Sequence, residues 1–114
     1  MPFLLFAGNR VSDFAVSLGW YERLLGGEPA FLPHATEAVW ELEEHRFLYI
    51  AEDAAGAGGA LNTILVDDLD ARVEEISERG IEPAEREEYS SGARKAIYRD
   101  PDGNEIGFGG VPEG

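Results

Sequence analysis

The chain has no cysteine, so neither a disulfide nor thiol chemistry is open to it. Basic residues are scarce: Lys and Arg number 9 against 23 Asp and Glu, a formal net charge of -14. A field of that sign repels nucleic acid and anionic lipid, which excludes both as partners, and it attracts cations. The acid is scattered, with Glu41, Glu44, Glu52, Glu85 and Glu88 as examples, as expected of solvated faces that favour solubility. Long apolar runs are missing, so no segment reads as membrane-spanning. No charged-then-apolar leader opens the chain, and cytoplasm is the expected compartment. Histidine occurs twice, as His34 and His45, whereas a metal site needs three or four converging ligands. No Gly-x-Ser-x-Gly nucleophile motif is present. Gly56-Ala57-Gly58-Gly59 lacks the Lys-Ser/Thr pair of a phosphate-binding loop.

What is present points to one folded domain. The chain has 114 residues, 44% hydrophobic and 11% aromatic, enough for a core and unlike a disordered chain. Its organising stretch is Arg99-Asp100-Pro101-Asp102-Gly103-Asn104. Proline fixes φ, glycine and asparagine tolerate positive φ, and aspartate side chains bond nearby N–H groups, so this is a tight turn. Arg94 to Arg99 and Glu105 to Phe108 flank it as strands of a hairpin.

That hairpin closes the second of two similar halves. Phe14, Leu18, Tyr21 and Leu25 recur at helical spacing after Asp13, and Leu69, Val73 and Ile76 do so after Asp68. Each aspartate stands where an N-cap belongs, and Gly26 and Gly80 stand where the chain must leave the helix. Gly19 inside the first helix costs about 1 kcal/mol relative to alanine, an expense that close packing on a sheet would explain. Strands are predicted at Phe3 to Gly8, Pro29 to Pro33, Glu37 to Leu42, His45 to Ala51, Leu61 to Val66 and Ile81 to Arg86. The result is an α+β fold of two tandem βαβββ modules, residues 1–53 and 60–110. A Gly/Ala-rich stretch, 54–59, joins them and reads as flexible. Gly109 to Gly114 read as a frayed tail.

The two Val-x-Asp helix starts, the run Trp20-Tyr21-Glu22-Arg23-Leu24-Leu25-Gly26 and the terminal Asp-Pro-Asp-Gly-Asn resemble the vicinal oxygen chelate superfamily. That superfamily includes glyoxalase I, the bleomycin-resistance proteins and the extradiol dioxygenases. The resemblance implies a U-shaped sheet around a cleft, commonly assembled in a homodimer, with a divalent metal held by His, Glu or Gln from four strands. Matched by spacing, those four positions here are Phe6, Tyr49, Leu61 and Gly107. A divalent cation needs carboxylates or imidazoles. Of this set only the Tyr49 phenol offers a donor atom, and its ordinary pKa of about 10 makes it a poor ligand at neutral pH. The metal pattern is therefore departed from at every position, and the basis for carrying over glyoxalase or dioxygenase chemistry is lost.

Three readings follow. The first is a metal-free, cofactor-free small-molecule binding protein, its cleft lined by Phe6, Trp40, Phe47, Tyr49, Leu61 and Gly107. Aromatic walls with an open glycine floor suit a flat, apolar or cationic ligand. Trp40 shares a face with Ala38 and Leu42, so it equally suits the core. The second is a glyoxalase-like metal-dependent lyase or isomerase with ligands outside this set. The third is an interaction module whose cleft is filled. Lys95 and Arg99 share one strand face and Arg94 takes the other. Glu105 shares the face of Gly107, and is read as a solvated residue at the hairpin mouth.

Overall fold

A computed structural model describes residues 3–111 of the chain. The first module contains β1 (Leu5–Val11), α1 (Phe14–Leu25), β2 (Phe31–His34), β3 (Glu37–Glu43) and β4 (Arg46–Glu52). The second contains β5 (Leu61–Leu65), α2 (Leu69–Glu78), β6 (Glu85–Glu88), β7 (Arg94–Arg99) and β8 (Glu105–Gly110). Each module is a four-stranded mixed sheet, ordered β1-β4-β3-β2 and β5-β8-β7-β6. In each, the first strand pairs in parallel with the last, and the remaining pairs are antiparallel. The α+β class and the tandem βαβββ arrangement are as expected.

Both helices begin as the capping chemistry dictates. The Asp13 side chain accepts from Val16 N at 3.2 Å and the Asp68 side chain from Ala71 N at 3.0 Å, each satisfying a donor that has no partner inside the helix. At the end of α1, Gly26 adopts φ 88 and returns its N–H to the Glu22 carbonyl, a conformation that costs glycine little. Gly19 has no neighbour within 4 Å of where a Cβ would lie, so sheet packing does not require it.

Alternation along the strands divides each sheet into two faces. Ala38, Trp40, Leu48 and Ile50 turn toward α1, where they meet Tyr21 and Leu24. Ala96, Tyr98, Ile106 and Phe108 turn toward Leu69, Val73 and Ile76 of α2. One continuous core runs through both modules. The opposite faces carry Phe6, Gly8, Phe47 and Tyr49 in the first sheet and Leu61, Lys95, Ile97, Glu105 and Gly107 in the second.

Several boundaries differ from the sequence reading. Strand β1 starts later and continues through Asn9 and Arg10 to Val11, because buried Asn9 finds polar partners across the core. Strand β6 lies at Glu85–Glu88 rather than Ile81 to Arg86. Ile81 instead packs in the core, while the charged segment pairs with β7 through its backbone. Gly109 and Gly110 extend β8 opposite Lys95 and Arg94; the end of the expected tail, 112–114, lies outside the described residues. The joining stretch is held at several points. Ala54–Gly56 forms a 3-10 turn capped by Asp53, Gly58 N donates to the Arg10 carbonyl at 3.3 Å, and Ala60 N donates to Asn104 Oδ1 at 3.0 Å. Composition reads as slack here because it does not reveal those bonds.

The closing turn joins the modules. Asp100, 5% exposed, accepts from Asp102 N and Asn104 N at 2.9 Å each, from Asn104 Nδ2 at 2.8 Å and from the Tyr21 hydroxyl at 2.7 Å. Tyr21 accepts in turn from Asn9 Nδ2 at 2.9 Å, and Asn9 Oδ1 accepts from Asn62 Nδ2 at 2.8 Å. Asn104 also donates to the Arg10 carbonyl, and Asp102 accepts from Ser12. Its centre, Asn9, Tyr21, Asp100 and Asn104, is buried, where an unpaired polar group would be costly, and Ser12 and Asp102 carry it to the surface. Burial, reinforced by the Asp100 charge, pushes the Tyr21 phenol well above its ordinary pKa.

Candidate functional site

The helix-free faces of the two sheets each set a glycine under a long side chain, but at different positions of the repeat: Gly8 lies on β1, whereas Gly107 lies on β8, where the first module has Tyr49. In the first module a glycine of β1, Gly8, lies beneath the ring of Tyr49 from β4; a Cβ on Gly8 would overlap that ring. Tyr49 is half-buried, and Val39 stands opposite it on β3. Phe6 and Phe47 meet edge to face with ring centroids 4.4 Å apart, a favoured aromatic geometry. Three of the predicted cleft residues, Phe6, Phe47 and Tyr49, are thus together on one surface.

Trp40 is not on that surface. It is 4% exposed, tilts against Tyr21 with ring centroids 5.8 Å apart, and donates from Nε1 to the Gly27 carbonyl at 3.0 Å. Alternation along β3 places it with Ala38, toward α1, so its role is in the core. Leu61 and Gly107 belong to the second sheet's face, where Leu61 stands opposite Glu105 and is 73% exposed.

Gly107 leaves no open floor. The Lys95 side chain runs along the sheet and covers it, so that a Cβ there would meet Lys95 Cε. Lys95 Nζ stands 3.8 Å from Glu105 Oε2, and Arg99 reaches Glu105 Oε1 at 3.4 Å and Glu85 at 2.9 Å. Glu105 is correspondingly not solvated; its side chain and that of Lys95 are 19% and 18% exposed. A flexible lysine drawn to a carboxylate two pleats away fills the space that the glycine leaves.

The residues do not fit the divalent ion that the sequence resemblance implies. Phe6 and Leu61 offer no donor, Gly107 has no side chain, and an ammonium group lies above it. Among the described residues no group of three or more His, Asp or Glu side chains converges as a metal site would require.

A cavity of about 550 Å³ opens between the first sheet's face and the joining stretch, within the usual range of small-molecule sites. Tyr49 and Gly8 line it, together with Arg10, Glu37, Ala51 and the glycines at 56, 58 and 59. Arg10 is ion-paired to Asp53 at 3.3 Å. Sequence reasoning missed Arg10 and Glu37. The alternation of β3 carries a signal for Glu37, since it shares a face with Val39 and so with Tyr49 opposite it. Arg10 carried none, being read as part of the connection to α1.

The fold and these faces define a class: a paired-βαβββ protein with an open sheet face and a groove beside it. Residues 5–108 match the model of the Glyoxalase/Bleomycin resistance protein/Dioxygenase superfamily, and the chain belongs to that family. A glyoxalase / bleomycin resistance protein from Catenulispora acidiphila DSM 44928 is 56% identical, with a TM-score of 0.94 over 97% of this chain and 100% of that one. A lactoylglutathione lyase from Agrobacterium tumefaciens is 19% identical, with a TM-score of 0.72 over 93% of this chain and 91% of its own. A bleomycin-binding protein complexed with bleomycin is 19% identical, with a TM-score of 0.75 over 95% and 98%. The last two similarities speak to fold alone. Among curated proteins no significant match was found. No described helix is long and apolar enough to cross a membrane.

Proposed function

We propose that this chain is a metal-free small-molecule binding protein of the glyoxalase/bleomycin-resistance type. One observation carries the reading. The positions matched to metal ligands hold Phe6, Tyr49, Leu61 and Gly107, and the surface they lie on is aromatic in one module and internally ion-paired in the other. Such a surface favours flat, apolar or cationic compounds by burial and ring contact. A related fold is that of a bleomycin-binding protein, which supports sequestration without chemistry. The groove beside Tyr49 weighs against an interaction module with a filled cleft.

Metal analysis and thermal unfolding test this together. Protein purified without chelator or histidine tag is expected to carry less than one transition metal per ten chains. An aromatic compound at 100 times its Kd is expected to stabilise it by about 2.7 kcal/mol. Stoichiometric zinc, nickel or manganese would overturn the reading in favour of a lyase or isomerase. A flat response across aromatic and cationic libraries would sink it as well.

The functional unit in this proposal is a cytoplasmic homodimer. One copy leaves Phe3 91%, Leu61 73% and Leu65 71% exposed, with Leu4, Leu5 and Phe6 continuing the apolar run, and a second copy would cover such a surface. Sedimentation equilibrium at micromolar concentration is expected to give twice the chain mass. A monomer there would refute the dimer.

A further inference from the structure

Among the described residues, the groove beside Tyr49 holds a carboxylate without a partner. Glu37 begins β3 opposite Ala51 of β4, and Val39, two residues on, stands opposite Tyr49. Glu37 and Tyr49 are therefore diagonal positions on one sheet face, and because the Tyr49 ring leans across Gly8 of β1, the groove runs between the ring on one side and the carboxylate of β3 on the other. Both line the same cavity. The small side chain of Ala51 leaves space beside the carboxylate. The ring is held against the strand because Gly8 has no side chain to displace it.

Charge at the groove has one sign left over. Arg10 also lines it, but the guanidinium is held by Asp53 at 3.3 Å. Among the described residues the Glu37 side chain has neither an ion pair nor a hydrogen bond. It is half-buried, so its charge acts at close range with reduced screening. A carboxylate and an aromatic ring lining one groove are together the groups that recognise an ammonium ion. The ring quadrupole attracts the cation and the carboxylate accepts its N–H bonds. The net charge of -14 adds a field that draws cations toward the protein.

We infer that this groove binds the ammonium group of a small aromatic or apolar amine, with Glu37 as the charge-selecting residue and Tyr49 as the ring that packs on the ligand. The inference rests on the small-molecule reading above and gives it a ligand class.

The test compares benzylammonium with benzyl alcohol, nearly isosteric probes that differ in charge at neutral pH. Amide chemical shifts of the full-length protein are followed during titration of each probe. Benzylammonium is expected to bind about tenfold tighter, with shifts centred on Glu37, Tyr49, Ala51 and Gly59. Glu37→Gln should erase that preference, bringing the two probes to similar affinity. Tyr49→Leu should weaken both probes. Equal affinity of the two probes for the wild-type protein would overturn the ammonium inference while leaving the small-molecule reading intact. Shifts confined to other surfaces would overturn the groove as the site. No response to either probe at about 10 mM, far above the expected Kd, would count against both.

Discussion

The two modules solve one geometric problem with opposite chemistry. Each places a glycine on a strand beneath a long side chain from a neighbouring strand: Gly8 under Tyr49 in the first, Gly107 under Lys95 in the second. In the first module the covering group is a rigid ring backed by Phe6 and Phe47. In the second it is a flexible chain ending in an ammonium that Glu105 holds. The two repeats thus keep one backbone plan while one open face is aromatic and the other is internally ion-paired. The difference predicts that only the first face responds to ligands, and that the two glycines tolerate change unequally.

The largest expected effect comes from breaking the joint between the modules. Asp100→Ala removes the acceptor for Tyr21, Asn104 and the turn amides, and should destabilise the protein by about 3 kcal/mol in urea unfolding. A loss below about 1 kcal/mol would mean that the modules hold together without the network. The same joint has a pH signature. Tyr21 is neutral when protonated, and burial raises its folded pKa above the unfolded value of about 10. Its contribution is therefore complete below pH 10 and lost as pH rises beyond it, at up to about 1.4 kcal/mol per pH unit. Tyr98, also raised by burial, adds to the alkaline loss. Tyr21→Phe should remove one tyrosine's share of that slope; an unchanged slope would assign it elsewhere.

A smaller effect tests the comparison itself. Gly8→Ala must move a rigid ring, at a cost of about 1–2 kcal/mol, and should weaken aromatic ligands at the first face. Gly107→Ala asks only a flexible lysine to shift, and should stay within about 0.5 kcal/mol. Equal losses in both variants, measured by urea unfolding, would show that the two coverings are mechanically alike.

The fold was legible where the chain signals locally. Asp13 and Asp68 announced the helices, the apolar spacing fixed their faces, and the Asp-Pro-Asp-Gly-Asn run announced the closing hairpin. Legibility failed where a residue's partner is distant in sequence. Asn9 looked like a connection because nothing local reveals Tyr21 and Asn62 waiting for it. The Glu85–Glu88 strand carries only charged side chains, and its pairing with β7 is a backbone matter. At the site, the face that Trp40 shares with Ala38 and Leu42 admitted the core placement that it adopts. The path of Lys95 over Gly107 has no counterpart in spacing, because a lysine with several rotatable bonds goes where its carboxylate is.

The closing turn has one more consequence, for what half of this polypeptide could do alone. The first repeat ends at Asp53, yet its Tyr21 hydroxyl and its Arg10 carbonyl are satisfied by Asp100 and Asn104 of the second. The matching turn of the first repeat, Glu43-Glu44-His45, provides no such reach: His45 there takes positive φ and its neighbour Glu43 is spent on Arg46. The halves are not interchangeable, because the acceptor for Tyr21 and the donor to the Arg10 carbonyl both come from the second repeat.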